Sequence, residues 1–132
     1  MTVGKAAVAI SAGKNVIDKA TLKAQTFGAN ASAEKPLGAR IYSDPVDLAT
    51  KAPSSVAVSL YLPNRAVVIS VHWDGAQTGF ISAKGDETMD ADFEAGGTTK
   101  SRLFLSQIQS NAKPESSVIV FLGDSITDCK IA

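Results

Sequence analysis

The sequence predicts an all-β protein, a β-sandwich of the jelly-roll or immunoglobulin-like kind. Apolar residues recur with period two in several short segments bounded by turn residues, and no segment carries a sustained helical stripe. Ala, Val, Ser, Thr and Gly are plentiful and aromatic residues make up 6% of the chain, a composition that suits strands. About seven to nine short strands at this spacing are typical of a sandwich.

The first half of the chain predicts three strands. Residues 3–10 are apolar and small, and the Ala-Gly-Lys-Asn stretch that follows predicts a turn. Residues 21–27 alternate between apolar and polar side chains, which predicts a half-buried strand. A polar loop over 28–35 and a short strand over 39–42 come next, and Ser43-Asp44-Pro45 is typical of the start of a turn.

The second half begins with the clearest strand, VAVSLYL over 56–62, in which every second residue is apolar. Further strands are predicted at 66–73, 77–83 and 102–109. The acidic, Gly-rich stretch from Lys84 to Lys100 predicts a long exposed loop. The last strand, 118–122, is the uninterrupted apolar run VIVFL, which is typical of a strand buried on both faces.

Composition excludes several classes of function. The 132 residues allow one domain with a single core. They carry 13 basic and 13 acidic residues, and this zero net charge argues against a nucleic-acid partner. Cys129 and His72 are the only residues of their types, so an intrachain disulfide is impossible and a Cys/His zinc site is not expected. The apolar run near the N-terminus is too short for a signal peptide, and no stretch is long enough to span a membrane.

The stretch FLGDSITD, residues 121–128, combines an apolar strand with a sharp turn that carries a serine. It is the last of five stretches that together resemble one family, in this order: PLGARIYSDPVDL (36–48), VAVSLYLP (56–63), HWDGAQTGFIS (72–82), SRLFLSQIQ (101–109) and VIVFLGDSITD (118–128). They resemble the front part of a bacterial GDSL-type, or SGNH, hydrolase that carries a β-sandwich domain ahead of its catalytic domain. The resemblance covers most of the chain.

This resemblance implies an esterase acting on acyl or acetyl esters, including those of glycans, without a cofactor or metal. Ser125 matches the family nucleophile, and Asp124 precedes it in the turn. The implied boundaries are a β-sandwich domain over 1–112 and the first strand and nucleophile turn of the catalytic domain over 113–132. Family members are often secreted, whereas the start of this chain does not predict a signal peptide.

The family's remaining catalytic motifs do not occur in the 132 residues. These motifs supply an oxyanion glycine, an oxyanion asparagine and a histidine base, and Cys129 stands where the family usually has glycine. The sequence is therefore expected to be a truncated fragment that is inactive or weak by itself. A serine without a base within hydrogen-bond reach is a poor nucleophile.

His72 offers an alternative base, because any Ser-His pair within these residues must join Ser125 to His72. Asp74, Asp124 or Asp128 could orient the imidazole, within one chain or across two. The competing interpretation is that His72 packs at the end of a strand. Ser125 would then simply close a Gly-Asp-Ser turn.

A non-catalytic function is the second hypothesis: a β-sandwich that binds a glycan or a partner protein. Trp73, Tyr61 and Tyr42 could stack on sugars, although aromatics in a chain with so few of them more often serve core or surface packing. The acidic residues of 84–100 could bind calcium, but they lack the EF-hand spacing and favour a solvated loop. Cys129 is expected to be an exposed, inert thiol.

The apolar run near the C-terminus predicts self-association. Five apolar side chains left in water are costly, since burial of each contributes roughly 1.5–3 kcal/mol. An unpaired strand invites pairing with another chain. We therefore expect a homo-oligomer with residues 117–123 at or near its interface.

Overall fold

The computed structural model describes residues 1–13, 16–51, 53–69, 71–111, 113–120 and 122–123. It is all-β, with antiparallel sheets and about 32% of residues in strands, and the described residues contain no α-helix. The strands are β1 Thr2–Val3, β2 Lys5–Gly13, β3 Val16–Ile17, β4 Lys23–Gln25, β5 Ala33–Glu34, β6 Ser55–Tyr61, β7 Gly79–Ser82 and β8 Ala95–Thr99. A 3₁₀ turn covers Lys19–Thr21.

The main sheet is built around β2. Strand β6 covers one edge of β2, with Lys5 opposite Tyr61 and Ser11 opposite Ser55. The other edge of β2 pairs with β3 near its end and with β4 near its start. Strands β3 and β4 are therefore two pieces of one interrupted strand that lies beside β2.

The 3₁₀ turn interrupts this strand without leaving Ile10 of β2 unpaired. The Asp18 N–H donates to the Ile10 carbonyl at 2.9 Å. The Ile10 N–H donates to the Thr21 hydroxyl, also at 2.9 Å. The Asp18 side chain caps the turn by accepting from the Ala20 N–H at 3.0 Å. The Thr21 hydroxyl thus takes the place of a strand carbonyl as acceptor for the Ile10 N–H. Such a substitute is needed because backbone groups that are removed from water require a hydrogen-bond partner.

Strand β2 is buried on both faces over its apolar run. Ala6, Ala7, Val8 and Ala9 are each at most 5% exposed. Ala9 packs with Ile17 and Ala91, and three half-buried apolar residues surround this cluster, namely Leu22, Ala57 and Phe93. Small side chains fit here because neighbouring segments approach both faces of the strand closely.

Strands β7 and β8 form a second sheet, in which Gly79 lies opposite Thr99. The pairing of this region continues beyond the strands, because the Gly75 N–H donates to the Lys100 carbonyl at 2.8 Å. Residues 83–94 connect β7 to β8 and contribute to the core through Thr88 and Ala91, which are 5% and 6% exposed. A third, small sheet joins β1 to β5.

The predicted all-β class is confirmed, whereas the jelly-roll or immunoglobulin-like arrangement stays a prediction. Residues 3–10, 56–62 and 77–83 correspond to β2, β6 and β7 with small changes of bounds. The strand predicted over 21–27 shortens to β4 because the 3₁₀ turn occupies its start.

Several predicted elements are wrong. The loop predicted over 84–100 is correct for 84–94, where most residues are exposed, although Thr88 and Ala91 are buried. It is wrong for residues 95–99, which form β8 because Ala95, Gly97, Thr98 and Thr99 pair with β7. No strand forms in the described residues of 39–42, 66–73 and 102–109; His72 and Arg102 form only an isolated bridge. A contact to β4 holds the region after Tyr42, where the Ser43 hydroxyl accepts a hydrogen bond from the Gln25 side-chain amide at 3.1 Å.

The C-terminal strand predicted over 118–122 is also not found in its described residues. Val118, Ile119 and Val120 are 78–84% exposed, and Leu122 is 98% exposed. We expected the 118–122 strand to be buried on both faces, but in the described structure β2 is the strand buried in this way. An apolar run shows that a segment needs a partner but does not identify the partner.

Candidate functional site

After Gly123, the predicted nucleophile motif lies outside the described residues. Ser125, Asp124, Asp128 and Cys129 all belong to this part of the chain, so their roles stay predictions. Gly123, the first residue of the GDSIT stretch, is described and follows the exposed apolar segment.

His72 lies at the end of the 72–75 segment that pairs with residues 100–102. Its carbonyl accepts a hydrogen bond from the Arg102 N–H at 2.9 Å, which holds the backbone of the two residues together. The His72 residue is exposed to solvent. This position leaves the imidazole accessible to a reactant or to a second chain.

Further hydrogen bonds hold the segment around His72 in place. The Ser101 hydroxyl donates to the Trp73 carbonyl at 2.8 Å, and the Arg102 guanidinium donates to the Gly75 carbonyl at 3.4 Å. Ala76 adopts a positive φ of 58°, and its N–H donates to Asp74 at 3.2 Å. The backbone that carries His72 and Trp73 is thus fixed from the β8 side.

The aromatic residues proposed as a sugar platform have different environments. Trp73 is 77% exposed and Tyr42 is 57% exposed, whereas Tyr61 is half-buried on β6. The Tyr61 ring lies close to Gly4 in the N-terminal region. A side-chain Cβ at position 4 would lie 3.1 Å from the Tyr61 ring. Of these three aromatic residues, Trp73 is therefore the most open to a ligand.

A charged cluster that sequence reasoning missed joins β2 to the 83–94 segment. Lys5 Nζ lies 2.6 Å from Asp86 Oδ2. Asp86 also accepts hydrogen bonds from the Thr88 hydroxyl at 2.8 Å and from the Thr88 N–H at 3.3 Å. The hydrogen bond to Asp86 raises the pKa of Lys5, and the Lys5 and Thr88 donors lower the pKa of Asp86.

A cleft of about 240 Å³ lies beside this cluster. Its lining is mostly apolar and comes from β2, β4, the loop between β4 and β5, and the 83–94 segment: Lys5, Ala6, Ala24, Gln25, Ala31, Thr88 and Met89. Asp86 already pairs with the Lys5 ammonium, so the cleft presents no free pair of acid and base. The cluster therefore connects β2 to the 83–94 segment.

Asp44, from the SDPV stretch, organises the turn over residues 27–30. Its carboxylate accepts from the Thr26 hydroxyl at 2.6 Å and from the N–H groups of Gly28 and Ala29 at 3.0 and 2.8 Å. These hydrogen bonds, led by the one from Thr26, lower the pKa of Asp44. The carboxylate thus stabilises the turn through three hydrogen bonds.

The described residues contain neither a candidate metal centre nor a membrane-spanning helix. They contain no group of three or more His, Cys, Asp or Glu side chains that could hold a metal ion. Over the same ranges, no helix has the length and apolarity needed to cross a bilayer. The acidic residues after Ser82 form local contacts instead, for example Lys84 with Glu94 at 3.0 Å.

Comparisons with protein families, with curated proteins and with solved structures found no match to this chain.

Proposed function

We propose that this chain is the β domain and nucleophile turn of a GDSL-type serine esterase, with Ser125 as the nucleophile. The GDSIT stretch at 123–127 carries the proposal, together with the order in which the other matching stretches precede it. The all-β fold of the region before the motif agrees with it. The substrate class is an acyl or acetyl ester, including an ester carried by a glycan.

The proposed chemistry follows from what a serine needs. A base takes the Ser125 proton as Oγ attacks the ester carbonyl, the alcohol leaves, and water then releases the acid from the acyl-enzyme. Donors to the developing oxyanion add about 2.7–4 kcal/mol each to transition-state stabilisation. The 132 residues offer only His72 as an imidazole, so we expect a low rate from them alone.

Hydrolysis of p-nitrophenyl acetate and butyrate tests this proposal. We expect a low rate with the 132-residue chain and a rate equal to the uncatalysed background with Ser125→Ala. The matched control is Ser117→Ala, a serine next to the same apolar segment, which should retain the rate. A rate that persists in Ser125→Ala, or no rate in the unmodified chain, would refute hydrolysis by these residues.

His72→Gln separates two sources of the base. If the exposed His72 serves Ser125, within one chain or across two, the substitution removes the Ser125-dependent rate. If it does not, the rate stays and His72 belongs only to the pairing with Arg102. Far-UV circular dichroism of the variant checks that the fold is kept.

The exposure of Trp73 favours a second candidate, a non-catalytic module that binds a glycan. An indole that is 77% exposed offers a flat apolar face for sugar stacking. Trp73 is the only tryptophan of the chain, so its fluorescence reports this position directly. A saturable change on titration with soluble polysaccharides would support binding, and an unchanged spectrum across the panel would count against it.

A further inference from the structure

We propose that two copies of the 132-residue chain form a dimer by reciprocal strand addition. Residues 117–123 of each copy pair with the free edge of β6, Ser55–Tyr61, in the other. The proposal extends the predicted self-association by naming the surface that accepts the segment. It concerns assembly and does not depend on ester hydrolysis.

The donor segment has the composition of a strand but no strand partner in the described structure. Val118, Ile119 and Val120 are β-branched, and each is at least 78% exposed. Leu122 is 98% exposed. Contiguous exposed apolar residues of this kind mark an interaction surface.

The acceptor is the edge of β6 that faces away from β2. Strand β6 pairs with β2 along its whole length, from Ser55 to Tyr61. Among the described residues, no strand pairs with the opposite edge of β6. That edge is seven residues long, and an open edge of this length is a template for another chain.

The two segments match in length and in apolar pattern. Every strand pair of the described sheets is antiparallel, so we place Ser117 opposite Tyr61 and Gly123 opposite Ser55. This alignment sets Val118, Val120 and Leu122 opposite three apolar residues of β6 that share one face, namely Leu60, Val58 and Val56. A shift by one residue would set them opposite the other face.

The charges that flank the two segments are complementary. Lys51 and Arg65 are the only charged residues from 51 to 65, whereas Glu115 and Asp124 are the only ones from 115 to 124. The antiparallel alignment brings Glu115 towards Arg65 and Asp124 towards Lys51. None of Lys51, Arg65 and Glu115 forms an ion pair within the described residues. The zero net charge of the chain also minimises electrostatic repulsion between two copies.

Size-exclusion chromatography with light scattering, over a range of protein concentrations, tests the dimer. All samples carry Cys129→Ser so that oxidation cannot join two chains. We expect the mass of two chains for this parent and the mass of one chain for Ile119→Pro, because proline removes a ladder N–H. Ser110→Pro, at an exposed position outside the segment, is the matched control and should stay dimeric.

The proposal fails if the parent has the mass of one chain at all concentrations, or if Ile119→Pro stays dimeric. A reversal of charges tests the alignment separately. Arg65→Glu should weaken the dimer at least tenfold in Kd, and adding Glu115→Arg should restore it. If the double variant is as weak as Arg65→Glu alone, the antiparallel alignment is wrong.

A disulfide trap locates the contact without relying on loss of assembly. Leu60→Cys and Val118→Cys chains, each with Cys129→Ser, are mixed and oxidised, and we expect a disulfide between the two different chains. Ile119→Cys mixed with Leu60→Cys is the control, because residue 119 points to the other face in the proposed alignment. Equal yields from both mixtures would contradict the proposed contact.

Discussion

Lys5 Nζ and Asp86 Oδ2 lie 2.6 Å apart and connect the central strand β2 to the segment between β7 and β8. The pair sits at the edge of the cleft that this segment forms with the main sheet. On the same segment, Thr88 and Ala91 are buried. The stretch 83–94 is therefore a largely exposed loop that is attached to the main sheet through Asp86 and buries Thr88 and Ala91.

Asp86→Asn is expected to lower the urea midpoint at neutral pH, because the amide loses the ion pair with Lys5 and accepts the Thr88 bonds less strongly. The matched control is Asp92→Asn, an exposed acid of the same segment with no ion pair in the described structure. An equal fall of the urea midpoint in both variants would show that the change in net charge, and not the loss of the Lys5 contact, causes it.

The effect of Asp86→Asn should also depend on pH. The pKa of Asp86 is lowered in the fold, so its stabilisation is present above about pH 3.9, the ordinary Asp value, and is lost as pH falls through the folded pKa. The pKa of Lys5 is raised, so its stabilisation is present below about pH 10.4 and is lost as pH rises through the folded pKa. Urea unfolding at pH 3, 7 and 11 should therefore show the largest difference at pH 7.

Asp44→Asn is expected to destabilise the turn over 27–30, because one carboxylate serves three donors there. The pKa of Asp44 is lowered, so its contribution is present above about pH 3.9 and is lost as pH falls through the folded pKa. The variant should thus unfold at lower urea at pH 7 but approach the parent at pH 3. Asp47→Asn, an exposed acid three residues later, is the control and should change neither midpoint.

Ala29→Gly is expected to stabilise the protein by about 0.5–1 kcal/mol. Ala29 has φ of 65° in the turn that also holds Gly28 at 60°, and this left-handed conformation costs about 1–2 kcal/mol for a residue with a Cβ. The greater freedom of glycine in the unfolded chain offsets part of the gain. Ala31→Gly, at a position outside the left-handed region, should destabilise; equal shifts in both variants would contradict the assigned strain.

Ala7→Val is expected to destabilise the protein by about 1–3 kcal/mol, because Ala7 is fully buried at 0% exposure and added methyl groups overpack a filled site. Ala12→Val, at an exposed position of the same strand, should change stability by less than about 0.5 kcal/mol. Chemical unfolding measures both. A neutral Ala7→Val would mean that the faces of β2 are less tightly covered than the structure shows.

The sequence predicted best those strands whose apolar pattern and bounds depend on residues that are adjacent in the sequence. Strand β6 alternates cleanly, and Pro63 and Asn64 end it, so its bounds could be read within a residue. The small apolar run of β2 lies at the centre of the sheet, where residues on both faces must be small or apolar. Local composition determines these two elements.

The remaining elements depend on contacts between residues that are distant in sequence. Nothing near Asp86 indicates that it pairs with Lys5, and β8 has a glycine-rich sequence that favours a loop until it pairs with β7. The run 66–73 has a strand-like pattern yet pairs only through His72 in its described residues. In the candidate site, the sequence identifies Ser125 and His72 as chemical groups but not whether they meet.

The central proposal is that Ser125 is the nucleophile, and covalent labelling with a fluorophosphonate tests it most directly. The chain is incubated with the reagent, digested and mapped by mass spectrometry, beside Ser125→Ala. We predict a single modified serine at residue 125, and no modification in the variant or in chain unfolded with urea. Modification at other serines to the same extent, or none at Ser125, would contradict the claim.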